Sequence, residues 1–379
     1  MPHIIIEKIL TLKDQLVPVS FLSSDLLYIP TITVLILLVL TFALVLYVIS
    51  LRIAFNANQK SKKRQFQIWE NLVLTYLSGE ASEEEIARAV RTKHFGLFSE
   101  FMEKYLETLR GEDFGKLTYL LKKIGLVGYN LKRLNSKKKW HKVYAAFFLG
   151  LMRDKEAVPG LQKELKDKNY LVSFACATAL AKIGEKQHLK ETLSLLTRRE
   201  DLGPDKAAEI LLEFGNGICG ELSLFLDKED IPTKWKYLII DLLGYWQYLE
   251  SGPTLLKLLN TSKDNEMKIR SIKALGGMSY LESASALAAH LDDKDYLVRS
   301  EVAKALGKIG ASEYSDEIVK SLGDENWWVR YNAAQALASF GEEGITLLEK
   351  MAKQEKNSDA RRISTHILSE FELLGREVR

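Results

Sequence analysis

At 379 residues the chain is longer than one compact hydrophobic core usually serves, which leaves several domains or an elongated repeat fold. Leu, Ala, Lys and Glu are abundant and only 7 residues are proline, a balance that argues against a turn-dense all-β protein and predicts little or no sheet. Of the net charge of +3, residues 1–65 carry +4 and the remainder −1, so the body lacks the concentrated basic face of a phosphate-driven nucleic-acid binder, although a local patch remains compatible with it.

Residues 1–25 mix apolar residues with isolated charges and read as a short segment outside the membrane. No residue between Asp25 and Arg52 is charged, and 26–51 is long and apolar enough to cross a bilayer core of about 30 Å as one helix. Pro30 sits near its start, and Tyr28 and Tyr47 lie towards its two ends as interfacial anchors. The apolar run starts too late and continues too long for a cleaved signal peptide. Arg52, Lys60, Lys62, Lys63 and Arg64 come next with no intervening acid, in a basic juxtamembrane linker at 52–65, whereas the 25 residues before the span total −1. The positive-inside rule then places the body in the cytosol, single-pass at the inner membrane with the N-terminus outside. The same five cations are candidate contacts for anionic lipid headgroups.

From 66 to 135 apolar residues recur at helical spacing, including Trp69, Leu72, Val73 and Tyr76, then Phe98, Phe101, Met102, Tyr105 and Leu106. Ser82 with Glu85 reads as a capping box, Gly111 as a helix break and Gly128 as a helix end. This stretch is predicted to be a helical adaptor that caps the C-terminal body. Its end carries Lys132, Arg133, Lys137, Lys138, Lys139 and Lys142 without an acid, either a solvated helix end or a second patch facing membrane or partner.

From 136 to 379 the chain repeats. Equivalent leucines fall at Leu149, Leu180, Leu211, Leu243, Leu275, Leu306, Leu337 and Leu368, spaced 31, 31, 32, 32, 31, 31 and 31 residues apart. Each unit reads as two helices whose apolar faces are covered only when neighbours stack, which predicts an all-α superhelical solenoid of about eight units. Gly184, Gly215, Gly310 and Gly341, four residues after the marker leucine, are predicted helix ends. Thirteen residues before it stand Asp167, Asp230, Asp293 and Asp324; seven before it, Arg299, Arg330 and Arg361, with Lys142, Lys236 and Lys268 in the same column. Acids that cap the second helix, and cations that bond to loop carbonyls or to acids of the next unit, would make a structural ladder.

Asp293–Arg299 (DKDYLVR), followed by Ala303, Ala305, Leu306, Gly307, Ile309 and Gly310, resembles the short bacterial HEAT-like repeats of phycobilisome lyase subunits, and Asp324–Gly341 has the same pattern. The resemblance covers about 136–375 and implies a protein-binding scaffold. The layout of span, helical module and array also resembles bacterial membrane-anchored HEAT-repeat proteins, which implies an accessory or regulatory role beside a membrane glycosyltransferase in polysaccharide synthesis.

No catalytic or cofactor site is predicted. His3, His94, His141, His188, His290 and His366 are scattered, with none of the His-Glu pairs that HEAT-repeat di-iron hydroxylases use, and neither a phosphate-binding glycine loop nor a nucleophile elbow is present. Cys176 and Cys219 lie in apolar helical patterns and read as buried hydrophobes of a reduced compartment. The candidate partner-binding residues are the loop-column aromatics Tyr170, Tyr296 and Trp327, with Trp328, Arg299 and Arg330; packing between units is the competing account of that column. Trp235, Tyr245 and Trp246 form a separate candidate group for a partner, with a place in the core as the favoured reading. The chain therefore reads as a tethered scaffold for a protein partner, with no cofactor, small-molecule substrate or nucleic acid; a subunit or carrier of the lyase kind is the alternative, and a nucleic-acid binder the least supported.

Overall fold

The computed structural model of the protein describes residues 24–184, 186–198, 203–227, 231–354 and 356–377, and every regular element among them is helical. Residues 1–23, the side chain of Tyr28, and Asp230 lie outside the described residues. Backbone contacts divide the chain into two compact units, Met1–His94 and Phe95–Arg379.

The first unit is dominated by α1, Ser24–Leu77, a helix of 54 residues. At 1.5 Å per residue it is about 80 Å long, well over twice a bilayer core. The segment 52–65, expected as a linker, is therefore helix continuous with the span, because it contains no glycine or proline and consists largely of Arg, Lys, Gln and Ala. Side chains from Ile32 to Leu51 are exposed throughout, and α1 is the one helix among the described residues long and apolar enough to cross a membrane. It ends where Gly79 adopts a left-handed φ of +83° and the Glu80 amide donates back to the Thr75 carbonyl at 2.9 Å. Ser82 caps α2, Glu83–Ala89, by accepting from the Glu85 amide.

The second unit begins with α3, Phe95–Thr108, and α4, Gly111–Lys123. The boundary between the two units thus falls within the stretch 66–135 that the sequence suggested as an adaptor. The helix break falls at Gly125, φ +88°, rather than Gly128, which lies inside α5, Leu126–Leu134. Helix α5 is the first member of the first pair, with α6, Lys139–Met152. The subsequent pairs are α7, Val158–Leu165, with α8, Tyr170–Ile183; α9, Leu189–Arg198, with α10, Pro204–Phe214; and α11, Cys219–Leu226, with α12, Thr233–Tyr245. Then come α13, Gly252–Thr261, with α14, Asn265–Gly277; α15, Ala284–Ala288, with α16, Tyr296–Ile309; α17, Ser315–Ser321, with α18, Trp327–Ser339; and α19, Glu342–Gln354, with α20, Ser358–Glu377. Eight helix pairs at the predicted step form an α-solenoid.

Seven of the marker leucines, Leu149 to Leu337, are fully buried, and Leu368 in the last pair is half-buried. Successive second helices approach until backbones touch: a Cβ on Gly150, Gly244, Gly276 or Gly307 would lie 2.7 to 2.9 Å from Ala179, Ala274, Ala305 or Ala336 of the next unit. Each glycine directly follows a marker leucine and each alanine directly precedes the next. Ala181 and Leu212 occupy the glycine position after Leu180 and Leu211, so α10 interrupts this stitching.

The corner after each second helix is left-handed, with φ of +82°, +73°, +75° and +75° at Gly184, Gly215, Gly310 and Gly341. Arg153, Gln247 and Ser279 hold the equivalent corners at φ 52° without being glycine. A left-handed conformation costs a residue with a Cβ about 1–2 kcal/mol, so exposed Ser279→Gly is expected to stabilise the array by about 1 kcal/mol, read as a raised urea midpoint.

Candidate partner-binding edge

The basic and acidic columns meet. Arg299 donates to both Asp324 carboxylate oxygens, Nε to Oδ2 at 2.7 Å and Nη2 to Oδ1 at 2.9 Å, and its Nη1 donates to the Asp293 carbonyl at 2.8 Å. Arg330 Nη1 donates to the carbonyls of Asp324 at 2.7 Å and Glu325 at 3.0 Å. Lys268 reaches Asp293 at 2.9 Å, and Lys142 reaches Asp167 at 2.7 Å as well as Glu164. Burial alone would raise these aspartates, but their bonds to the cation of the preceding unit and to a loop amide hold Asp167, Asp293 and Asp324 below the usual carboxylate range.

The ladder acids do not cap the second helices, as the sequence suggested; they shape the turn that presents the cap. Asp167, Asp293 and Asp324 accept from the amides of Asn169, Asp295 and Asn326. Those three residues in turn accept from the amides of Leu171, Leu297 and Trp328, opening α8, α16 and α18. The loop is thus tied at both ends, and the side chains directly after the cap are held in place.

These side chains are aromatic and exposed. Tyr170 is 45%, Tyr296 41%, Trp327 44% and Trp328 56% exposed, so none of the four is a fully buried core residue. Trp327 stacks on Tyr331 with ring centroids 4.9 Å apart, and Trp328 meets Trp327 edge-on at 4.7 Å. Arg299 and Arg330 lie inward beneath this edge, with side chains only 11% and 13% exposed. Trp235 is core as expected, but Tyr245 is 72% exposed, because two residues past the marker Leu243 a helix has turned its side chain away from the core. Trp246 is half-buried.

Trp140 belongs to the same edge and carries no signal in the aromatic column. It sits nine residues before Leu149, as Leu171, Leu297 and Trp328 do before their own markers, and is 50% exposed. The edge therefore has two clusters, one at the starts of α6 and α8 and one at the starts of α16 and α18, while α12 and α14 begin with Thr233, Lys234, Asn265 and Glu266. Beside the first cluster lies a groove of about 820 Å³ lined by Tyr144, Phe147, Leu171, Phe174 and Leu212. Its residues come from three repeats and, through Glu103, from α3, so no local motif signals it.

Among the described residues no group of three or more His, Cys, Asp or Glu is placed to hold a metal ion. Cys176 and Cys219 are unbridged and buried; burial pushes the Cys219 thiol up to about 11 and Cys176 higher, so both stay protonated.

The family model for HEAT repeats matches residues 130–213 and 284–369. The array is a HEAT-repeat solenoid, an architecture typical of protein-interaction scaffolds. Kap121p bound to RanGTP is similar in fold, with a TM-score of 0.50 at 14% identity, over 80% of this chain and 38% of that one. An engineered protein aligns at 19% identity over 76% of this chain and 87% of that one, with a TM-score of 0.38. No curated protein matches the chain.

Proposed function

We propose that this protein is a membrane-tethered scaffold: α1 crosses the bilayer, and the solenoid, on the cytosolic side, holds a protein partner along its aromatic edge. The observation that carries this is the set of exposed aromatic side chains on loops fixed by the ladder, Tyr170, Tyr296, Trp327 and Trp328, since partly exposed Trp and Tyr on a rigid support are the side chains from which interface hot spots are made. The cytosolic placement rests on Arg52, Lys60, Lys62, Lys63 and Arg64, which lie along α1 directly after its apolar stretch, where they also meet anionic headgroups. The partner is a membrane glycosyltransferase of polysaccharide synthesis, an assignment that rests on the resemblance in layout.

Affinity purification of the full chain from detergent-solubilised membranes tests this reading. A glycosyltransferase should be retained by the parent chain, and Trp327→Ala and Trp328→Ala should each weaken retention by at least about 30-fold. Undiminished retention by the double variant, or enrichment of no membrane protein, would remove the reading. Resistance of the chain to alkaline carbonate extraction tests the span separately.

A further inference from the structure

The start of α6 holds a surface that neither the ladder nor the repeat packing explains. From 114 to 153 ten residues are basic and none is acidic. Several of these cations are spent within the fold. Lys116 pairs with Glu112, Lys122 with Asp154 and Glu156, and Lys142 turns inward to Glu164 and Asp167. Lys132, Lys137, Lys138 and Lys139, by contrast, are exposed, and no described carboxylate is within ion-pair distance of them. Their field reaches His141, which is held below its usual value by desolvation and then by Arg133 and Lys138.

Stability alone does not select this arrangement. Lys138 is the cap residue of α6 and makes no side-chain capping bond, and Lys139 opens the helix, so both stand at the positive end of its dipole, where cations are unfavourable. Beside them Trp140 and Tyr144, with ring centroids 6.1 Å apart, are 50% and 54% exposed, and the Lys139 ammonium lies 5.3 Å from the Trp140 ring. An open, carboxylate-free cluster of lysines around an exposed Trp–Tyr pair fits an extended anionic surface with an apolar layer beneath it. Lysine ammonium groups take the headgroup charge while the indole enters the interface.

We propose that the α5–α6 corner of the solenoid docks on an anionic lipid bilayer through Lys137, Lys138, Lys139 and Trp140. A membrane is favoured over nucleic acid because the same chain carries an apolar helix able to place it at a bilayer, and because the body outside this corner is not basic. The inference rests on the tether proposed above, and its test is separable from that of the tether.

The full chain is reconstituted in nanodiscs of phosphatidylcholine, with or without phosphatidylglycerol, and quenching by brominated acyl chains is measured. In the anionic discs a share of the tryptophan quenching should disappear with Trp140→Phe. That share should be absent from pure phosphatidylcholine, and K137E/K138E/K139E should lower the ratio of docked to undocked protein at least about a hundredfold, at roughly five-fold per charge. Helicity by circular dichroism identifies variants that fail to fold. Quenching independent of Trp140 or of lipid charge overturns the proposal. Protection of 136–144 from hydrogen exchange by an oligonucleotide, but not by phosphatidylglycerol, also overturns it in favour of a nucleic-acid site. Should the chain fail to enter discs, the tether reading falls, and the same Trp140 signal with added anionic vesicles still decides the docking.

Discussion

Arg299→Met is expected to destabilise the array by about 3–5 kcal/mol, the usual consequence of stranding one member of a buried ion pair. The side chains of Arg299 and Asp324 are only 11% and 12% exposed, and the guanidinium is bound by two carboxylate oxygens and by the Asp293 carbonyl. Methionine fills the volume but leaves the Asp324 charge without its fork and a loop carbonyl without its donor. Because each repeat in a solenoid is held mainly by its neighbours, the damage concentrates between α16 and α18. Urea unfolding should become biphasic, with hydrogen exchange over 284–340 accelerated first. Arg299→Lys retains the charge without the bidentate geometry and should fall between the two. An unchanged midpoint for Arg299→Met would mean that the ladder is decorative.

The same pair fixes the sign of the acid response. A carboxyl whose folded pKa lies below its unfolded value adds stability that is present above the unfolded value, near 4, and is lost as pH falls through the folded one. Asp167, Asp293 and Asp324 are all shifted down, so stability should hold from neutral pH to about 4 and then decline as these groups protonate. Arg299→Met removes the bond that holds Asp324 low, and its loss of stability below about pH 4 should be shallower than the parent's.

The repeat step, the left-handed corners and the ladder were legible because each recurs at a fixed offset from a buried leucine, and an offset is a property of sequence. The continuity of α1 past Arg52 was not, since a charge run reads as a linker unless the absence of glycine and proline is given more weight. Nor was the assignment of α5 to the first repeat. Gly125 and Gly128 are three residues apart, and only the backbone reveals that Gly125 takes the positive φ while Gly128 sits in a helix. The aromatic column was visible, but its direction was not. Exposure depends on how far the next unit's loop extends, and no single unit encodes that. Trp140 escaped notice because it lies one position off the Tyr170 and Tyr296 register, and the groove beside it because three repeats share it.

Glycine to alanine should act in opposite directions at two helical sites. Gly128 lies exposed within α5 with nothing within 4 Å of a built Cβ, so Gly128→Ala should stabilise by about 1 kcal/mol through helix propensity. Gly307 lies within α16, where the same propensity gain is available, but its Cβ would stand 2.7 Å from the Ala336 Cα and 2.8 Å from its Cβ. Backbone cannot step aside as a rotamer can, so α16 and α18 must separate. The overpacking penalty of about 1–3 kcal/mol then exceeds the propensity gain, and Gly307→Val should be worse still. Placing the small residue on the other helix tests the steric cause. Ala336→Gly in the Gly307→Ala background removes the 2.8 Å contact but keeps the 2.7 Å contact with the Ala336 Cα, so it should recover only part of the steric loss, whereas Ala336→Gly alone should destabilise by about 1 kcal/mol. If Gly307→Ala proves as stabilising as Gly128→Ala, the contact between these backbones is not what sets the spacing of the repeats.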